Sequence, residues 1–487
     1  MLHQSKNSSR LPLSVGRSAT LFQPKITLPI LALIALCSLA NVVGQTPVSA
    51  TSAHTEAGFA DADLYECVIN NYNTEFSTSK TTSDVLTSAE LASIKNLDCR
   101  YGASSHDPDS WRISSTSGIQ QLAGLEKLYL YGTVFPSLDL SSLTRLKSLS
   151  VFYNDEMTTL DISHNSNLEE FMLWHTSVAN TYDFTPLPKI RILNLQSSDI
   201  EGVNIDNNPL LEEIILYGDD EITELSTINN PELKSINIAY TKISSLDTSN
   251  NPKLKWLELG NTRIASINTE HNTKLEYFTL DHTSISNIDL SHNQLLKELN
   301  CRSTNISVID VQNNPKLSGL NVPDDTTILD RTSGWYDEDG TLVADLSEHD
   351  YITKVEESSN YRYDAETKKL FISNPSSNTI NLDVEVRTLI GGVPDDKAVL
   401  NLQIVTSDSG DESDPGEPED GESDTDTPDD EASESDLKVP DTGSHQAGKI
   451  GATFIALSLS AILAFSTTIY LSHYTAKRHH SKVDFKK

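Results

Sequence analysis

The stretch LKWLELGNTRIASIN, residues 254–268, sets Leu254, Leu257 and Leu259 to one side and Lys255, Trp256 and Glu258 to the other, as a short half-buried strand does. Working outward from it, the pattern (L/I)-x-x-(L/I/F)-x-(L/I/V/C) starts at Leu125, Leu146, Leu168, Ile190, Leu211, Leu233, Leu254, Leu275, Leu296 and Leu317, always 21 or 22 residues apart. A unit this short cannot bury its own apolar face, so ten copies in series imply stacking into one continuous core.

A period of 20–29 residues with this spacing resembles the leucine-rich repeat. The resemblance covers 125–322 and implies a solenoid of about ten coils with parallel strands on its concave face. Eight residues past each anchor stands Thr133, Asn154, Thr176, Ser198, Asp219, Thr241, Thr262, Thr283 or Thr304. The family usually has Asn there, and a mostly Thr column can supply a comparable hydrogen-bond ladder for buried backbone groups. Ile243, Ile264, Ile285 and Ile306 supply a second inward layer. Asn207-Asn208-Pro209, Asn250-Asn251-Pro252 and Asn313-Asn314-Pro315 read as turns, because Pro fixes φ and removes a donor. Little length is left for helix, so the convex side is expected to be extended or irregular.

A solenoid needs covered ends. Residues 51–124 are expected to form an N-terminal cap, in which 59–99 read as two short helices and a strand and resemble the cap of internalin-type bacterial proteins. Cys67 and Cys99 both lie there, either as a disulfide formed after export or as buried thiols, whereas Cys301 occupies an inward repeat position. After Val322 the period stops. Alternating runs such as Ile380-Leu382-Val384-Val386 and Leu400-Leu402-Ile404 predict a small immunoglobulin-like β-sandwich over 323–406 that covers the last repeat and acts as a spacer.

The two ends of the chain are basic and the middle is acidic. Of a formal net charge of −34, residues 1–50 hold four basic residues and no acid, and 443–487 hold six basic residues against Asp484. Such a balance argues against a nucleic-acid partner. The apolar run 26–43 behind a basic segment, followed by Val48-Ser49-Ala50, predicts a signal peptide over 1–50. Residues 407–438 predict an extended, self-repelling acidic stalk, with 15 Asp and Glu in 408–436 alone. Residues 450–472 are long and apolar enough to span a bilayer, and Lys477-Arg478-His479-His480 would hold the tail inside.

Just upstream stands Val439-Pro440-Asp441-Thr442-Gly443. With the apolar span and basic tail, 439–487 resembles the sorting signal of Gram-positive wall proteins, with Val439 where Leu is usual. The resemblance implies that a sortase cuts between Thr442 and Gly443 and joins Thr442 to peptidoglycan precursor, so that the membrane is a transient partner.

No H-E-x-x-H, G-x-S-x-G or phosphate-loop motif is present, and no Cys/His cluster has ligand spacing, so the sequence points to neither an enzyme nor a metal or cofactor site. His271 and His292 stand beside Asn in the turns and read as turn residues. Binding is the expected activity. Six residues past successive anchors stand Tyr131, Phe152, Trp174, Gln196 and Tyr217, with Tyr129, Tyr153, Met172 and His175 beside them. Neighbouring strands lie roughly 4.8 Å apart, so these side chains are expected to form an almost continuous aromatic ladder on the concave face. Aromatic anchors concentrate binding energy at protein interfaces and also stack on sugars, which makes a surface protein or a glycan of another cell the expected ligand. A purely structural wall protein is the third reading. The later repeats, with Lys255, Trp256, Glu258, Tyr277, Lys297, Glu298 and Arg302, read as ordinary mixed surface.

Overall fold

The computed structural model describes residues 52–100, 113–387 and 396–406. The expected signal peptide, acidic stalk and sorting signal with its span 450–472 lie outside the described residues. Among the described residues no helix is long and apolar enough to cross a membrane.

Eleven short parallel strands form one sheet, the inner face of a leucine-rich-repeat solenoid. It begins with Asn96–Cys99 of the cap, continues through Lys127–Tyr131, Ser148–Asn154 and Glu170–Thr176, and ends at Gly319–Asn321. Leu125, Leu146, Leu168 and the later anchors are buried, as are the apolar residues three and five positions on, such as Leu257 and Leu259. Each fully buried Leu contributes about 1.5–3 kcal/mol relative to exposure, so the repeated inward columns dominate stability. Ile243, Ile264, Ile285 and Ile306 are buried behind them. The convex side carries turns and short strands and no helix.

The hydrogen-bond ladder differs from the expected one. In the early coils the column does bond between coils, since Asn154 Nδ2 donates to Thr133 Oγ1 and the Phe135 carbonyl and the Ser198 N–H donates to Asp219. In the later coils it works inside its own coil: Thr241, Thr262, Thr283 and Thr304 donate to the carbonyls of Ile238, Leu259, Leu280 and Cys301 at 2.6–2.8 Å. There the side-chain bonds between coils come from the Asn three residues before the next anchor, the second Asn of Asn250-Asn251-Pro252 and Asn313-Asn314-Pro315 and the Asn after His271 and His292. Asn251 Nδ2 donates to the carbonyls of Thr227 and Asn230, and Asn272 Nδ2 to those of Thr248 and Asn251. Asn293 and Asn314 continue the series, each bonding the main-chain carbonyl of the ladder Asn before it. Where a Thr stands three residues before the preceding Asn it satisfies the remaining amide oxygen: Thr227 donates to Asn251, Thr248 to Asn272 and Thr269 to Asn293. Asn314, whose equivalent partner position is Leu290, keeps an unbonded Oδ1. A third column runs along the strand entries, where Lys147 pairs with Glu126, Arg191 and Lys234 share Glu212, and Lys255 and Lys297 share Glu276. These pairs are exposed enough to add little individually.

The N-terminal end is covered by the helices Ala62–Phe76 and Ser88–Ser93. Asp61 caps the first through the N–H groups of Asp63 and Leu64, and its other oxygen accepts from Ser114. Cys67 on that helix and Cys99 at the end of the first strand are joined as a disulfide, Cα–Cα 5.7 Å. Cys301 is buried and free.

After the repeats, seven strands follow: Thr326–Tyr336, Leu342–Asp345, Ile352–Val355, Tyr361–Asp364, Lys369–Ile372, Thr379–Val386 and Asp396–Thr406. The first pairs with the second, the second with the fifth and the fifth with the fourth, while the third, sixth and seventh form the other set. That is the immunoglobulin arrangement of two sheets, strands one-two-five-four and three-six-seven. The long first strand also pairs in parallel with the seventh, so one hydrogen-bonded network runs through both sheets. The module is continuous with the solenoid: Val308–Asp310 of the last coils pairs with Thr327–Leu329, Leu320 N–H donates to the Arg387 carbonyl, and Arg302 lies 3.3 Å from the buried Asp396 carboxylate.

Thr248→Val keeps the side-chain shape but leaves Asn272 Oδ1 without its donor, and is expected to cost about 1–3 kcal/mol in urea unfolding. The exposed neighbour Asn250→Ala should stay within about 0.5 kcal/mol. The disulfide spans a separation of 32 residues, and replacing both cysteines by Ser should lower stability by about 3–4 kcal/mol by the chain-entropy relation.

Candidate functional site

On the concave face, residues two, four and six past each anchor project away from the core, and parallel register lines them up across coils. Tyr131 pairs with Phe152 and Phe152 with Trp174, while Tyr129, Ser150, Met172 and Asn194 form the adjacent row. Strict alternation would turn the seventh residue back toward the core. Instead Gly132, Tyr153, His175, Ser197, Gly218, Tyr240, Asn261, His282 and Ser303 all have positive φ, one left-handed residue per coil. Their geometry is held by the coil that follows, since Gly132 N–H donates to the Phe152 carbonyl, His175 to Gln196, Ser197 to Tyr217 and Tyr240 to Gly260. A bulky residue at positive φ is costly by about 1–2 kcal/mol and persists only where its surroundings over-determine it. The result is that the sixth and seventh side chains stand side by side on the rim of the concave face.

Six of the sequence-predicted residues are thereby joined. Tyr129 meets Phe152 edge-on at 5.1 Å, Tyr131 meets Tyr153 at 5.1 Å, and Phe152 meets Trp174 at 5.7 Å. Tyr153 lies 5.3 Å from Trp174 and stacks on His175 at 4.9 Å, and Trp174 stacks on His175 at 5.5 Å. Every one of these rings is half-buried. Arg100 lies over the Tyr129 ring at 4.8 Å and extends the cluster toward the cap. Trp174 Nε1 is buried without a hydrogen-bond partner. Burial, and then the neighbouring Tyr131, raise the Tyr153 phenol above its ordinary range.

Two expectations are corrected. The ladder is not continuous to Tyr217: Gln196, at the intervening position, is 4% exposed, and the Tyr217 ring packs against Tyr240 of the next coil at 5.1 Å. The later repeats are not ordinary mixed surface either. Glu258 and Glu298 are buried, Trp256 stacks on Tyr277 at 4.4 Å, and Arg302 is committed to Asp396. Glu258 faces the concave side but is covered by its neighbours, accepting from Asn237 Nδ2 at 2.6 Å and from the Trp256 indole. Burial, with the Asp281 charge nearby, pushes its carboxyl up to about 7. The stacked pair was legible in principle, because Trp256 and Tyr277 each follow their anchors by two. The glutamate's burial was not, because alternation assigns it a face but says nothing of what covers it. Among the described residues no group of three or more His, Cys, Asp or Glu could hold a metal ion.

No family model matches the chain, and no curated protein matches it in sequence. In structure it is similar to the functional domain of InlJ from Listeria monocytogenes, at 16% identity and TM-score 0.42, over 73% of this chain and 98% of that one. It is also similar to an internalin, inlF, from Listeria monocytogenes, at 19% identity and TM-score 0.33, over 58% and 92%. InlP from the same organism gives 16% identity and TM-score 0.36, over 73% and 98%. At these values the fold rests on the chain's own strand ladder.

Glu258 binds its proton more tightly when folded than when unfolded. Between the ordinary carboxylate range and about pH 7 the folded chain therefore holds a proton that the unfolded chain has lost, and stability falls as pH rises. The expected loss across that window is up to about 3 kcal/mol at about 1.4 kcal/mol per unit. Urea unfolding at pH 4.5 and 8 should show Glu258→Gln with a flatter pH dependence than the parent chain.

Proposed function

We propose that this chain is an exported surface protein, anchored to the cell wall through 439–487, that binds a protein on a host or neighbouring cell with the concave face of its first repeats. The supporting observation is the run of mutually contacting, half-buried rings Tyr129, Tyr131, Phe152, Tyr153, Trp174 and His175. Pre-packed aromatic rings lose little side-chain entropy on association and offer a rigid apolar centre, which is how interface hot spots are built. A protein ligand fits better than a glycan, because Tyr153, Trp174 and His175 already turn ring faces toward one another, and a sugar needs an open face on which to stack. The immunoglobulin-like module continues the hydrogen bonding of the last coils, and in this reading it and the acidic segment carry the concave face outward. Sortase and peptidoglycan are the anchoring partners that the pentapeptide implies.

The same column supplies a test. Gly and Ser already occupy the left-handed position at Gly132, Gly218, Ser197 and Ser303, so Tyr153→Gly combined with His175→Ser replaces two rings by residues that the backbone accepts there. The expected result is at least about tenfold weaker binding of the chain to intact cells with a Tm shift of no more than a few degrees. Shaving the cells with protease beforehand should abolish binding by the parent chain. Binding that survives shaving would move the ligand to a glycan, and undiminished binding by the double variant would remove the concave cluster as the site.

A further inference from the structure

Of the eight large apolar side chains that stand exposed among the described residues, three meet at one end of the immunoglobulin-like module. They are Trp335, Tyr336 and Val405, at 38%, 52% and 56% exposure. The parallel register of the module's first and seventh strands brings them together, with Ser333 opposite Val405 and Gly334 opposite Thr406. From Trp335 the row continues across the outer face: Trp335 lies opposite Val343, Val343 opposite Phe371 and Phe371 opposite Arg362. Two cations lie on it. Lys369 Nζ stands 5.1 Å from the centre of the Trp335 ring, and the Arg362 guanidinium 4.3 Å from that of Phe371. Arg331, two residues before Ser333 on the same face, is exposed and adds a third. None of the three is in a salt bridge with another described residue. An exposed apolar patch of this kind marks a binding surface, and in a chain of formal net charge −34 unpaired cations around it select an anionic occupant.

The chain itself supplies one. Its seventh module strand ends at Thr406 and runs parallel to the first, so the chain leaves beside Trp335 and not at the module's other end. Four of the next eight residues are acidic, Asp408, Asp411, Glu412 and Asp414, and no basic residue follows before Lys438. The fifth strand, which carries Lys369 and Phe371, is three strand spacings away, about 14 Å. Five extended residues reach about 17 Å, which brings Asp411 and Glu412 within range. Tethering presents them at an effective concentration in the mM range, so that a weak contact is populated. We propose that the outer face around Trp335 is a docking surface for the first residues of the acidic segment 407–438 of the same chain. Its carboxylates meet Arg331, Lys369 and Arg362, and its main chain lies over Trp335 and Val405. The turn Asp337-Glu338-Asp339 follows Tyr336 and repels an acidic chain, which directs the segment across the sheet towards Arg362. The contact sets the direction in which the segment leaves the module, and it stands independently of what the concave face binds.

The test is zero-length carbodiimide coupling, which joins a lysine amine to a carboxylate it touches, applied to the full chain and read by mass spectrometry. At about 20 mM salt Lys369 should couple to a carboxylate within 408–414, and at about 1 M salt, where screening acts beyond about 3 Å, at least about fivefold less. Coupling of Lys369 to Asp345, which lies opposite it in the sheet, reports that the amine is reactive at both salts. Arg331→Gln combined with Arg362→Gln changes two exposed side chains and should fold as the parent does. It should lower the coupling to 408–414 about 3- to 10-fold, the worth of two exposed ion pairs. Hydroxyl-radical footprinting gives a second readout that needs no change in the module. The combined variant Asp408→Asn, Asp411→Asn, Glu412→Gln and Asp414→Asn should raise oxidation of Trp335 at least about twofold, because a contact at mM effective concentration is made most of the time. Oxidation of Trp256, on the concave face, should not change. Three results would each overturn the proposal: coupling of Lys369 to Asp345 alone, coupling that joins light to heavy chains in an isotopically mixed sample (a second copy as the occupant), or unchanged oxidation of Trp335 in the four-site variant.

Discussion

Seven coils of the solenoid hand the coil before them two hydrogen bonds from one buried side-chain amide, at Asn165, Asn208, Asn230, Asn251, Asn272, Asn293 and Asn314, while Leu143 and Leu187 interrupt the series, and the regular stacking of the later coils follows from that arrangement. Asn251, Asn272, Asn293 and Asn314 each reach two carbonyls of the coil before, one of them the main-chain carbonyl of the preceding ladder Asn. The carbonyls they serve are buried where the chain turns and no strand partner can reach them, so an apolar substitute would strand them at a cost of about 1–3 kcal/mol each. Inward Leu and Ile columns supply more free energy, but burial is non-directional. The amides convert that non-directional pressure into a fixed register, and the register makes the rows on the concave face coincide.

Once the rows coincide, the left-handed residue at the end of each inner strand acquires a consequence. It turns two successive side chains out to the rim in place of one. In the second and third coils those pairs are Phe152 with Tyr153 and Trp174 with His175, and four aromatic groups close on each other. In the fourth coil the same positions hold Gln196 and Ser197, and the cluster ends. Farther along, the concave face changes character: Glu258 sits under Trp256 and Asn237, and Arg302 reaches across to Asp396 at the start of the immunoglobulin-like module's last strand. One backbone scaffold thus presents an aromatic region near the cap and a polar, covered region near the module.

The repeat was fully legible. Anchors at a constant step identify the inward columns before any coordinate is known, because a short strand has only two faces and the core claims one. The turn reading of Asn-Asn-Pro was half of the answer. Asn207 and Asn250 are exposed as turn residues, but Asn208 and Asn251 point into the stack. Spacing does not separate two adjacent asparagines when only one of them reaches the previous coil. The aromatic cluster was legible in membership but not in extent, since whether Tyr217 joins Trp174 depends on how far Gln196 sinks between them. The closing of Cys67 on Cys99 depended on a helix and a strand meeting, which no linear pattern states.

By itself the sequence determined the period, the inward columns, the small β module after the repeats and the aromatic residues available to the concave face, because each of these follows from residue type and spacing along one chain. Packing in three dimensions decided which asparagine carries the ladder, that Glu258 is covered, and that the aromatic rings close into one group and stop. Those outcomes depend on distances between coils about 21 residues apart, and such distances are set by stacking and curvature, which act between segments and leave no local pattern in either.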